Sequence, residues 1–555
     1  MSRIRFLTGW LVALAVVLVA YPCWAQEESA GAATAQEVTD SEGVSKEEDV
    51  AEEKTEESKK TEESTGEQEA AKRTRPVRDS VVKIYTIRRG FSLTSPWKRS
   101  NSSQVTGSGF VLSSTEILTN YHVVARAADV SISLDGESDR LSGRVKAIAP
   151  GLDIALIELE EPLPEDVPAL QVAEQTPRPG AKIQVLGYPK GGDSLSITEG
   201  VISRLEHATY KFHTYGLRTQ IDAPLNNGNS GGPMVADGQV VGIAFSGLAS
   251  ANDIGYAIPC EEINEVLSDF EDGTYDGKSH IWANVQALPA KEMRRWLKMP
   301  SDATGVRFAQ MPIPVDDYPL QVNDVITHVG EFDVDNMGKV DLNENTQVSY
   351  MYAIEKSSKD GKTPLKILRD GKPMDVEVPC FQGHHFLLDY LIDKQPRYFV
   401  YGPIVFGVAT ADLFSSLDAA VVRGGSTAAT VYRVLASMHA TENPLFMRRY
   451  DRVADKSEEL VVVSKLISNR MTRDIRVGLP AVIRAINGTP IKSIRQAAEL
   501  LSMPGDDLLV IEFEDSLDTT IVLDRKAIER DHEQIMEDNG IVNPASKDLR
   551  DVWQR

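Results

Sequence analysis

Cysteine is scarce in this chain: three residues in 555, Cys23, Cys260 and Cys380. That number builds no disulfide scaffold, and no two of them form a CxxC pair of the kind that holds zinc. Positive charge is also in deficit. There are 59 lysines and arginines against 82 acids, for a formal net charge of −23. Neutralising phosphates takes a cationic face, so nucleic acid is excluded as a partner class. No P-loop for ATP phosphates occurs, so any unfolding step is passive. Nine histidines include the pair His384-His385, but no acid or cysteine stands at ligand spacing beside them. No metal and no other cofactor is expected.

The two ends of the chain account for part of the composition. Arg3 and Arg5 precede an apolar run from Phe6 to Ala20, followed by Tyr21-Pro22-Cys23-Trp24-Ala25. This is the pattern of a secretory leader cut after Ala25, in a run short for a membrane span. The alternative is an uncleaved anchor. An exported protein with few cysteines suits a bacterial periplasm or cell envelope. Loss of Cys23 leaves Cys260 and Cys380, read here as buried free thiols. Residues 26–75 hold 16 acids and 7 bases and no aromatic residue. Such a stretch buries too little surface to offset its ordering entropy, so residues 26–78 are expected to form an unfolded acidic spacer. The polar residues 531–555 are expected to form a solvated tail.

From Asp79 the texture changes. Val81–Tyr85 reads as a strand, and Gly107–Leu112 with Ile117–Asn120 as a hairpin. Short apolar runs come next at Ala155–Ile157, Lys182–Leu186 and Val240–Ala244, separated by turn residues. The pattern predicts a mainly β domain of barrels over residues 79–275, with little helix before Glu261–Phe270. Three motifs lie on it. Leu118-Thr119-Asn120-Tyr121-His122-Val123-Val124 places a histidine just after a buried strand. Gly151-Leu152-Asp153-Ile154-Ala155-Leu156 places a carboxylate just before one, where burial demands a partner. Asn227-Gly228-Asn229-Ser230-Gly231-Gly232-Pro233 supplies a glycine-rich turn able to expose a serine hydroxyl and aim backbone N–H groups at an oxyanion. Taken singly, each motif has a structural reading. Their order, His122 then Asp153 then Ser230, is that of the chymotrypsin-type triad, with His and Asp on a first barrel and Ser on a second.

These motifs resemble the Deg/HtrA family of serine proteases. The likeness extends through GSGFVL, ILTNYHVV, LDIALI, VLGYPKGGDSLSITEGVISR, LNNGNSGGPMV, VGIAFSGL and IGYAIP. Pro96-Trp97, Lys366–Lys372, Tyr398-Phe399-Val400 and Glu459–Ser464 look like the plant-type Deg branch with two PDZ domains. The resemblance covers roughly residues 79–540. It implies a chymotrypsin-like double β-barrel protease followed by two PDZ-like α+β domains, at 280–382 and 383–530. It also implies a trimer or a multiple of trimers. There are departures: Asn226-Asn227 replaces the usual Ile-Asn-Pro or Ile-Asn-Ser, and Tyr121 replaces alanine, which predicts a narrower cleft beside His122.

The resemblance implies peptide-bond hydrolysis through an acyl-enzyme. His122, Asp153 and Ser230 form the catalytic set, and Gly228, Asn229 and Ser230 line the oxyanion hole. Pro224 stands where trypsin-like enzymes carry an acid, six residues before the nucleophile. With Ile243, Ala244 and Phe245 as pocket walls, cleavage is expected after small or medium aliphatic residues. The substrates are polypeptides, foremost unfolded or damaged exported proteins. The first PDZ-like domain is expected to take peptide C-termini or internal strands by strand addition, with His280–Val285 as its loop. Residues 271–279 read as a linker. Two other functions fit the same motifs: a holding chaperone or scaffold with minor proteolysis, and a specific processing protease.

Overall fold

The computed structural model describes residues 77–553 apart from 190–191, 193, 246–254, 311–316, 345, 384–385, 417–434, 453–457, 516 and 518. The leader, the spacer as far as residue 76 and the pair His384-His385 lie outside the described residues.

The first barrel comprises β1 (Val81–Arg88), β2 (Ser103–Ser113), β3 (Glu116–Asn120), β4 (Ala127–Ser133), β5 (Leu141–Ala149) and β6 (Ile154–Leu159). The hairpin expected from sequence is β2–β3, with Phe110 opposite Leu118. The second barrel comprises β7 (Lys182–Gly187), β8 (Ser196–Thr209), β9 (Tyr215–Ile221), β10 (Pro233–Ala236), β11 (Gln239–Phe245) and β12 (Gly255–Pro259). Both sheets close, in the orders β1-β2-β3-β6-β5-β4 and β10-β11-β12-β9-β8-β7, so neither leaves an open edge. One buried cluster joins Phe110, Leu118 and Ile154 of the first barrel to Leu186, Val240 and Ile243 of the second. Prising the barrels apart would re-expose each such side chain at about 1.5–3 kcal/mol. The loops at this seam are therefore held by two closed sheets that share a core.

Helix Cys260–Asp269 ends the barrel pair close to the expected Glu261–Phe270. The segment beyond it, expected as a linker, is fastened at its end. Lys278 is nearly buried and meets Glu262 and Glu355 at 2.7 Å and Glu265 at 3.3 Å. Burial alone would lower its ammonium pKa, but the charges of Glu262 and Glu355 outweigh that and raise it. Glu355 lies on helix Tyr350–Ser357 of the next domain, so this ion cluster fastens that domain to the barrels. These three carboxylates are close enough to hold a metal ion, but the Lys278 ammonium stands among them. Cys260 is fully buried, which, with Glu261 adding, pushes its thiol up to about 12. Cys380 is only half-buried, which corrects the expectation of a second buried thiol.

The two PDZ-like domains differ at the strand that would receive a peptide. In the first, strand Asn284–Gln286 pairs only with Val306–Gln310, among the described residues. In the second, strand Ile404–Val408 is paired on both edges, by Tyr398–Tyr401 and by Val461–Leu466.

The second domain also runs further than expected. Helix Arg525–Asp538 is capped by the Asp524 carboxylate, which accepts from the Ala527 N–H at 2.9 Å. Beyond it, Ala545, Leu549 and Trp553 enter the domain core, and Ala545 bridges Phe399. The solvated tail at 531–555 is thus corrected: its apolar residues recur at helical and turn spacings too sparse to stand out among charges. Trp553 is 2% exposed and packs on Phe399 with ring centroids 4.7 Å apart. Trp553→Ala is expected to cost this domain about 3–5 kcal/mol, read by circular dichroism during urea unfolding.

Candidate active site

Strand β3 delivers Asn120 to the seam, and a single helical turn, Tyr121–Val124, comes next and carries His122. From the other side comes a 3-10 turn, Pro150–Leu152, after which Asp153 adopts φ 61°. Aspartate is among the few side chains that tolerate this left-handed geometry. The turn points the Asp153 carbonyl at β3, where it accepts from Asn120 Nδ2 at 2.9 Å and the Tyr121 N–H at 3.0 Å. Its carboxylate is then divided. Oδ1 accepts from the His122 N–H at 2.9 Å, and Oδ2 meets His122 Nδ1 at 2.7 Å. Asp153 is 1% exposed. Burial would raise its carboxyl pKa, but the charges of His122 and Lys211 and the bonds from His122 prevail and hold it below the usual carboxylate range. Nδ1 is thereby fixed on the acid, and among the described residues no hydrogen bond engages Nε2.

The serine loop is tied to the same strands through Ser108, a fully buried residue of β2. Its N–H donates to the Ser230 carbonyl at 2.9 Å, and its Oγ donates to the Gly228 carbonyl at 2.7 Å. The Tyr188 N–H donates to the same Oγ at 2.8 Å. Gly231 closes the contact: at φ 88° a Cβ there would lie 2.1 Å from the Ser108 carbonyl oxygen and 2.3 Å from Thr119 Oγ1. Only glycine lets the serine approach β3, three residues before His122. From sequence alone Ser108 is one residue of a strand, and this role is missed. A polar residue flanked by glycines inside a buried strand is the one signal that points to it.

Among the described residues no hydrogen bond takes up the N–H of Gly228 or of Ser230. Asn229 differs, because its N–H donates to the Asn226 carbonyl at 3.0 Å. Asn229 is therefore removed from the expected oxyanion donors: the turn that exposes its neighbours consumes its own N–H.

The expected pocket residues divide too. Pro224 is exposed on a loop. Ile243 and Ala244 are fully buried, Ile243 in the shared core and Ala244 in the core of the second barrel, so their side chains line no open pocket. Phe245 is half-buried, stacked on Tyr210 with centroids 5.6 Å apart. The residues after it, 246–254, lie outside the described residues. Asp222, the acid two residues before Pro224, is committed elsewhere, its Oδ1 accepting from the Val201 N–H at 2.6 Å.

Tyr121 does not narrow the cleft. It is 6% exposed, packed in the first-barrel core and set against the Asp393 carboxylate. Asp393 belongs to the segment that leads into strand Tyr398–Tyr401 of the second PDZ-like domain and packs against the barrels. Ile392 packs on the first-barrel core, Asp393 accepts from the Arg126 N–H at 2.9 Å, and Tyr390 meets Phe212 with centroids 4.7 Å apart. Tyrosine in place of alanine thus provides a docking point for the second half of the chain.

The fold and site define a serine endopeptidase of the trypsin type. Residues 107–243 match the trypsin-like peptidase domain model, and residues 389–548 match a PDZ domain model. In Arabidopsis thaliana, the mitochondrial protease Do-like 4 is 32% identical over 338 residues, spanning 59% of this chain; the chain spans 64% of that relative's length. The chloroplastic protease Do-like 2 is 28% identical over 481 residues, covering 86% of this chain and 76% of its own. A Do-like 13 relative is 30% identical over 417 residues, covering 73% of this chain and 83% of its own. The chain belongs to the Do-like, or Deg/HtrA, protease family.

Loss of the Ser108 hydroxyl removes a buried bond to the serine loop, worth about 1 kcal/mol. Ser108→Ala is therefore expected to lower kcat roughly 5–10-fold with KM little changed, since a loosened loop misplaces the reacting groups and not the bound substrate. Steady-state kinetics on a chromogenic peptide measures this.

Proposed function

We propose that this protein is an ATP-independent endopeptidase that removes unfolded or damaged exported proteins. One observation carries the chemistry: a buried carboxylate 2.7 Å from His122 Nδ1, beside a serine loop with two N–H groups that no hydrogen bond takes up among the described residues. Ser230 Oγ attacks the peptide carbonyl while His122 Nε2 takes its proton and later returns it to the leaving amine. Asp153 holds the ring in the tautomer that leaves Nε2 able to accept and stabilises the imidazolium. The N–H groups of Gly228 and Ser230 receive the oxyanion. Loss of one such donor costs about 10²–10³ in turnover. The commitment of Asp222 to backbone favours cleavage after aliphatic residues over lysine or arginine.

A polypeptide is supplied by strand addition to Asn284–Gln286 of the first PDZ-like domain, whose outer edge is unpaired among the described residues. That strand borders a cavity of about 480 Å³, walled by Phe212, Tyr215, Ile281, Tyr350, Phe386 and Arg452. The second PDZ-like domain, paired on both edges of its corresponding strand, serves packing. The subunits assemble as a trimer or a multiple of trimers. Arg3, Arg5 and the apolar run to Ala20 favour export, to the periplasm or envelope. The names of two relatives point to mitochondria and chloroplasts, and N-terminal sequencing of the mature protein decides between these destinations.

Ser230→Ala is expected to abolish casein digestion without added nucleotide while eluting from a sizing column like the wild type. Undiminished digestion by this variant would refute the assignment. A peptide-library digest is expected to show aliphatic residues before the cut, and a preference for lysine or arginine would overturn the pocket reading.

A further inference from the structure

Asp153 has a neighbour that the hydrolytic steps leave unused. Lys211 Nζ lies 3.4 Å from Oδ1, the oxygen that also accepts the His122 N–H. Lys211 opens a 3-10 turn, Lys211–His213, between β8 and β9. The ion pair therefore crosses the seam, from the second barrel to the acid of the first. The turn is built for this approach. Phe212 and His213 both hold positive φ, at 53° and 59°. The Tyr210 N–H donates to the Thr214 carbonyl at 2.7 Å, and the Thr214 N–H to the Lys211 carbonyl at 3.0 Å. A Cβ on Gly151 would lie 2.1 Å from Thr214 Oγ1, so glycine two residues before Asp153 is what lets the hairpin close on the acid.

The other charged and titratable groups around the pair have different tasks. The Arg88 guanidinium, from β1, donates to the His122 carbonyl oxygen. Burial of its ring end, followed by the Glu262 charge, pushes the phenol of the half-buried Tyr210 well up, so it stays neutral. His213 faces Phe386 and Arg452, and burial followed by the Arg452 charge lowers its pKa. Arg126 and Asp393 stand against Tyr121. Among the described residues, Lys211 is the one lysine or arginine within ion-pair distance of the Asp153 carboxylate.

We propose that Lys211 is a positioning residue for the hydrolytic step, holding Oδ1 so that Oδ2 stays on the imidazole and offsetting part of the carboxylate field at His122. The inference rests on the reading of His122, Asp153 and Ser230 as the catalytic triad. A carboxylate beside an imidazole favours the protonated ring, which cannot act as a base. An ammonium on the far oxygen subtracts from that field. The enzyme gains activity in mild acid and gives up some stabilisation of the imidazolium formed in the reaction.

The test is the pH dependence of kcat/KM from about pH 4 to 9 on a chromogenic peptide, whose acid limb reports the base of the free enzyme. Lys211→Met is expected to move that limb up by roughly 0.5–1 pH unit, a shift typical of one partly exposed charge. KM at the plateau should be little changed. Lys211→Arg, which keeps the charge, should retain the wild-type limb, and raising salt should narrow the gap between wild type and Lys211→Met. Lys211→Gln serves if the Met variant fails to fold. Coincident limbs, or a uniform loss at all pH values with no shift, would overturn the proposal. Activity surviving in Ser230→Ala would instead sink the triad reading, whatever Lys211 does.

Discussion

A carboxylate removed from water is the constraint around which the protease half is arranged. Asp153 keeps its charge in a site that opposes charge because the charges of His122 and Lys211 and the bonds from His122 outweigh burial, and four donors fix the residue in place. Two, Asn120 Nδ2 and the Tyr121 N–H, hold its backbone; the His122 N–H and Nδ1 hold its side chain. All come from the consecutive residues Asn120, Tyr121 and His122 at the end of β3. The closed barrels matter because they keep those positions still. An unpaired buried acid would take up a proton or shift, and the imidazole would lose its orientation with it. The serine loop obeys the same logic with neutral groups, since Ser108 anchors two of its carbonyls to the strand that neighbours β3.

The same economy recurs where domains meet. Lys278 sits in a short connection that by composition reads as a flexible spacer, yet its ammonium satisfies carboxylates from both flanking domains. Lys356 adds a second ion pair to Glu265, and the fully buried His207 side chain of β8 reaches Glu355 at 3.4 Å. A misplaced domain would leave the nearly buried Lys278 ammonium without its carboxylates, an uncompensated charge that disfavours wrong docking. The second PDZ-like domain is held differently. Lys465 donates to Ser95 Oγ at 3.0 Å, Gln395 to the Pro96 carbonyl at 2.9 Å, and Trp97 packs on Tyr398.

Much of this is legible in the residues because the chemistry is written locally. His122, Asp153 and Ser230 each stand in a short motif whose neighbours serve the same turn, and the barrel strands carry their apolar runs in plain view. The features that sequence hides are made by residues far apart along the chain. Lys211 and Asp153 are separated by 58 positions, and nothing in either local pattern announces the other. Adjacency to Ser230 makes Asn229 look like a donor and cannot reveal that its N–H turns back to Asn226. Strand position puts Ile243 and Ala244 at a pocket, but β11 has a buried core on either face, so both side chains are consumed by packing. The region after residue 530 looks polar because its few core residues are diluted by charges that remain outside.

The closing of the last domain by Ala545, Leu549 and Trp553 sets an order of events during synthesis. Every strand of the two barrels has been made by Pro259, almost 300 residues before Trp553. Domains made first generally fold first. The hydrolytic half can therefore complete itself while the domain that supplies its later packing partners is still an open sheet. For the time it takes to make the rest of the chain, the nascent protein holds a folded protease beside its own unfolded polypeptide. The segment around Ile392, which seats on the first barrel, is made only after every strand of both barrels.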